Sequence, residues 1–206
     1  MTSPFTVRQA GIASLVAAGL IIVSQVSQLV LPLIITESFW IATQSLRMGL
    51  ALVAMFALLI ALTGLYARQA SATGNLGLIG YLTASLGTLL IAGNWWYEAF
   101  VGPMLRQQAP ELLRTAPSDS ILLGAALTAV IFAAGWVMFG VATFRAGIAP
   151  RGAAILMILA GFVGILAQVS PFQIPVAIAV AWMGLWLVRS TSGELQPAST
   201  RDAVAA

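Results

Sequence analysis

The sequence contains no cysteine, no histidine and no lysine. Without cysteine there is no disulfide and no thiolate ligand; without histidine there is no imidazole base, imidazole metal site or histidine-ligated haem. No catalytic residue, metal site or cofactor is read from the chain. Charge is scarce as well: 7% of residues are charged, against about 25% in soluble proteins, while 60% are hydrophobic and the mean hydropathy is +1.00. Lipid is the solvent that fits this composition. At roughly 20 apolar residues per crossing, 206 residues hold six spans with short loops and no separate soluble domain. The expected fold is all-α, a polytopic membrane bundle of six transmembrane helices within residues 1–189, followed by a flexible cytoplasmic tail, 190–206.

Apolar runs separated by charged, proline or glycine breaks place the spans at 10–35, 42–66, 76–97, 121–144, 153–169 and 172–188. The last two are short, and only Ser170-Pro171 lies between them, so a re-entrant hairpin over 153–188 is the alternative for that stretch. The first run exceeds the h-region of a signal peptide and is expected to be retained.

The nine cations are all arginine and are scattered singly, which excludes a nucleic-acid stripe and makes them reporters of topology instead. Arg8, Arg68, Arg145, Arg151, Arg189 and Arg201 fall on one side of six spans, and Arg47, Arg106 and Arg114 on the other. Because arginine is held back on the cytoplasmic side during insertion, the first group is expected inside, giving an N-in/C-in protein of a bacterial inner membrane. Trp40 and Trp95-Trp96-Tyr97 then mark the outer interface, and Tyr66, Phe144 and Trp186 the inner one. The expected partners are the lipid bilayer and either another membrane protein or a second copy of the chain.

Close helix packing is expected at small residues: Ala10, Ser14 and Ala18; Gly80, Ala84 and Gly87; Gly161 and Gly164; Ala177 and Ala181. Gly87 and Asn94 have the same seven-residue spacing as Gly161 and Gln168, a sparse echo of an internal repeat.

Uncharged polar residues gather in the outward halves. Ser24, Gln25, Ser27 and Gln28 lie in the first span, Asn94 in the third, and Gln168, Ser170 and Gln173 at the turn after the fifth. Ser24, Ser27 and Gln28 share one helix face with Gln25 on its flank, and Pro32 withdraws the usual donor from the Gln28 carbonyl. Such groups either bond neighbouring helices or line a wet cavity. The ligand-site expectation is an outward-open pocket between spans one, three and five, formed by Ser24, Gln25, Gln28, Asn94 and Gln168, with Glu98 at its rim. Glu98 itself reads either as a helix-end carboxylate paired with Arg47 or Arg106 or as a cation site.

Between 100 and 120, Pro110 and Glu111 suggest the start of a short helix, and Ser118 an N-cap for the fourth span. Met104, Leu105, Leu112 and Leu113 are expected on the membrane surface, with Arg106 and Arg114 facing water, so that the segment caps the outer mouth. Trp136 is expected in the core with its N–H bonded to a neighbouring helix.

The inner loop Arg145-Ala146-Gly147-Ile148-Ala149-Pro150-Arg151 places a glycine for the turn and a proline to start the next helix between two arginines that can bind anionic lipid headgroups. It resembles the R-x-G-x-x-P-R turns of uncharacterised bacterial multi-span inner-membrane proteins, a resemblance that carries no activity with it. For function, the spans offer no ionisable nucleophile or base, which argues against an enzyme. The reading is a structural or accessory bundle, or one that binds lipid or an apolar ligand, with a small-solute transporter or permease as the alternative.

Overall fold

The computed structural model describes residues 4–166 and 171–194, which form helices and no strand. In chain order these are α1 (Pro4–Ile34), α2 (Glu37–Ala42), α3 (Gln44–Phe100), α4 (Gly102–Gln108), α5 (Pro110–Arg114), α6 (Asp119–Ala146), α7 (Arg151–Val163), a 3-10 turn (Gly164–Leu166) and α8 (Ile174–Glu194). By length and composition α1, α3 and α6 could each cross a membrane, whereas α7 with its 3-10 turn and α8 up to Ser190 are shorter apolar helices.

α3 unites the stretches read as the second and third spans. It is helical throughout except at Gly74 (φ 56, ψ −151), a conformation that side chains with a Cβ avoid. There the chain reverses. Tyr66 stacks on Tyr81 with ring centroids 4.7 Å apart, and Gln44 bonds Glu98, so arms 44–73 and 75–100 lie antiparallel. The expected inner loop near 67–75 is thus almost wholly helical. α1 also starts before residue 10 and runs on through Pro32.

Each helical length packs antiparallel to the next. Ala10 of α1 meets Gly64 of the first arm; Gly80 and Gly87 of the second arm meet the α6 backbone, where an added Cβ would stand 2.7 Å from the nitrogens of Phe139 and Phe132. Gly161 of α7 similarly abuts Val137, and Gly164 abuts the Phe132 ring. α8 closes the circuit on α1, with Gly184 against Ser14 and Gly11 against Val188. Without a hydrophobic driving force between helices in lipid, such close approach is what favours association. The expected small-residue ridges are therefore the contact lines, although Ala181 is only partly buried.

Trp136 is fully buried beside Phe132, but its indole N–H has no partner among the described residues, contrary to the expected interhelical bond. Outward-facing surfaces are apolar: Val23, Leu33, Phe56, Ile60, Leu82, Leu127 and Phe162 are all more than half exposed. Ser118 is the N-cap of α6, but its hydroxyl lies against Ser120 and makes no capping bond. Gly147 ends α6 in the left-handed conformation (φ 67) and Pro150 precedes α7, as the loop sequence suggests. Residues 190–194 continue α8, so the expected tail begins as helix; 195–206 lie outside the described residues.

Candidate functional site

A cavity of about 240 Å³ opens where α1, α2, both α3 arms and α4 converge, lined by Gln28, Trp40, Gln44, Arg47, Met48, Asn94, Trp95, Glu98 and Arg106. Local sequence explains how those side chains meet. The Thr36 hydroxyl accepts from the Phe39 N–H and starts α2, which carries Trp40. Gln44 and Arg47, three residues apart on the first arm, share its inward face and are 7% and 5% exposed. On the second arm Asn94 and Glu98 are four apart and Trp95 and Glu98 three apart, so they line the facing wall.

Gln44 ties the walls together. Its amide nitrogen donates to the Glu98 carboxylate at 3.0 Å and to the Glu98 backbone carbonyl at 3.3 Å, and its amide oxygen accepts from Arg106 Nη1. Arg106 Nη2 reaches the same Glu98 oxygen at 3.4 Å. Gly102 permits this closure, since a Cβ there would lie 3.3 Å from both Arg106 Nη1 and Glu98 Oε2. α4 thereby folds back over the rim.

Arg47 takes no part in that ring. Its Nη1 donates to the Thr43 hydroxyl, its Nη2 donates to the Trp40 carbonyl at 3.0 Å, and its guanidinium lies 3.5 Å from the centre of the Trp40 ring. All three partners are neutral. The Arg47 Nε–H and the Trp95 indole N–H are both buried without an acceptor among the described residues.

Of the residues expected in an outward pocket, Gln28, Asn94 and Glu98 line this one. Ser24 is buried and accepts from Gln28 Nε2 at 3.4 Å, while Ser27 donates to the Ser24 carbonyl. Gln25 turns elsewhere: its amide nitrogen donates to Gln173 Oε1 at 3.2 Å, joining α1 to the turn before α8. Gln168 and Ser170 lie outside the described residues. Among the described residues the lining comes from α1, α2, the two arms of α3 and α4; Gln168, the residue expected to bring the fifth span to the pocket, is not among them.

Six lining residues lie outside the expected pocket set. Arg47 and Arg106 read as topology reporters and as alternative partners of Glu98, a pairing that Arg106 makes although it is also expected to face water. Trp40 and Trp95 read as aromatic-belt residues, and Gln44 and Met48 carry no distinguishing signal. Consecutive helical residues point about 100° apart, so a run of three aromatics cannot face lipid together. Trp96 and Tyr97 do face outward, while Trp95, 3% exposed, turns inward.

The two arginines expected to meet lipid headgroups, Arg145 and Arg151, are exposed at the opposite end of the bundle. Near that end the polar contact is structural: Gln69 Nε2 donates to the buried Thr143 hydroxyl at 2.8 Å, joining the first arm to α6. No protein-family model, curated protein or solved structure matches the chain.

Proposed function

We propose that the chain is a multi-pass protein of a bacterial inner membrane, with six spans and both ends cytoplasmic, that binds a small polar or amphiphilic ligand in its outward cavity. The observation that supports the binding role is the cavity wall itself, where Gln28, Arg47, Asn94 and Trp95 face one space. Residues that merely glue helices pair off, as Gln25 does with Gln173 and Gln69 with Thr143.

The six-span reading draws support from the antiparallel packing of α1, the two arms of α3, α6, α7 and α8, and from the apolar outer surface. Amphiphile binding draws support from an apolar groove between the second arm and α6, lined by Leu86, Leu90, Ile121 and Leu127, with Asn94 shared between groove and cavity. A permease would need a polar path below Met48, but Met55, Leu58 and Leu62 fill that part of the first arm's inner face and are buried.

The test is purification of the full chain in native-lipid particles, followed by mass spectrometry of retained lipids and small molecules. A stoichiometric ligand, depleted when Asn94→Leu narrows the cavity, is the expected result. Proton- or sodium-driven flux of a solute in liposomes would replace this reading with transport.

A further inference from the structure

A buried guanidinium loses its hydration and needs either an opposite charge or a full set of acceptors. Arg47 has neither. Its bonds end on a hydroxyl, a backbone carbonyl and a ring face, and its Nε–H is unsatisfied. Among the described residues, the carboxylate that lines the same cavity, Glu98, is engaged by Arg106 and Gln44 and forms no ion pair with Arg47. Across from Arg47, Trp95 carries a second unsatisfied N–H, a group that can only donate.

We propose that this cavity takes a singly charged oxyanion, a carboxylate or a phosphodiester. Arg47 supplies its counter-charge, and the Trp95 indole and Asn94 amide supply neutral donors. The proposal rests on the reading of the chain as a membrane-embedded binding protein. Two guanidiniums against one carboxylate leave a surplus of one positive charge in the walls. That surplus suits a monoanion. A cation would meet two guanidiniums, and the second charge of a dianion would meet Glu98. The same phosphodiester chemistry belongs to an outer-leaflet lipid headgroup, and the same carboxylate chemistry to a small dissolved acid.

The experiment uses the full chain in a non-ionic detergent and reads tryptophan fluorescence and thermal shift on titration. The probes are dihexanoyl-phosphatidylglycerol below its micelle concentration, sodium acetate, uncharged dihexanoylglycerol and choline chloride. A saturable response to one or both anions, and none to the neutral or cationic probes, is expected. Phosphatidylglycerol alone would identify a lipid source; acetate would identify a solute.

The affinity should fall by about tenfold or more in Arg47→Gln and about threefold in Trp95→Phe, and should hold in Arg114→Gln, which alters an exposed arginine of α5. Where Arg47→Gln does not fold, Arg47→Lys keeps the charge but loses the planar fork, and it must weaken binding. No response to either anion, an equal response to dihexanoylglycerol, or undiminished affinity in both Arg47→Lys and Trp95→Phe overturns the oxyanion assignment. The wider binding reading has its own arm: in intact cells an impermeant maleimide should label Asn94→Cys from outside. That reading fails only if this position is unreachable and no probe binds.

Discussion

The guanidinium of Arg47 lies 3.5 Å from the centre of the Trp40 ring, and its Nη2 also donates to the Trp40 backbone carbonyl at 3.0 Å. One tryptophan thus holds the cation with both its ring and its main chain. A desolvated cation–π contact contributes about 2 kcal/mol. Trp40→Leu should therefore lower stability by roughly 1–2 kcal/mol. Arg47→Met removes a buried charge together with its desolvation cost, and should leave stability unchanged or raised in anion-free detergent. Thermal denaturation of both variants checks the contrast; equal losses would contradict it.

Helix contact through glycine gives a second expectation. Gly87→Ala drives a methyl into the α6 backbone beside Phe132 and should cost about 1–3 kcal/mol. Gly93→Ala, on the same arm with open space around it, should change stability by less than about 0.5 kcal/mol. Unfolding titrations in mixed detergent micelles would compare them.

The Gln69 to Thr143 bond is the buried polar link between the first arm and α6. A double-mutant cycle with Gln69→Leu and Thr143→Val should return a coupling of about 0.6 kcal/mol, and no more than roughly 1.7. A coupling near zero would mean that the bond holds nothing.

Topology offers a clean assay because the chain has no native cysteine. In the proposed orientation Gln107→Cys should react with impermeant reagent added to intact cells, and Asn75→Cys only after permeabilisation. The reverse pattern would invert the protein. At the turn itself, Gly74→Ala should cost about 1–3 kcal/mol, since its φ of 56 and ψ of −151 suit only glycine.

Apolar run length was enough to locate the long helices, though not α2 or α4, and small residues marked the contact lines. Boundaries were less legible. Nothing in 67–73 stops a helix, so the first arm continued to the glycine that had to turn. At the site, Gln28, Asn94 and Glu98 were readable because polar groups at depth need partners. Gln25 was misplaced because it sits only about 60° around α1 from Gln28, which is enough to face α8 instead of α3. Arg47 read only as a topology reporter or a partner of Glu98, because counting cations by loop ignores one that begins a helix and turns inward. Its spacing from Gln44 and Trp40 was the signal available.

Among the described residues, those lining the cavity lie between Gln28 and Arg106, and the opposing walls belong to the one hairpin that turns at Gly74. The ribosome has therefore made this lining before it makes α6, α7 and α8. α6, α7 and α8 arrive later as buttresses. Substitutions in α6, α7 and α8 that still brace α1 and the second arm therefore leave these lining groups in place.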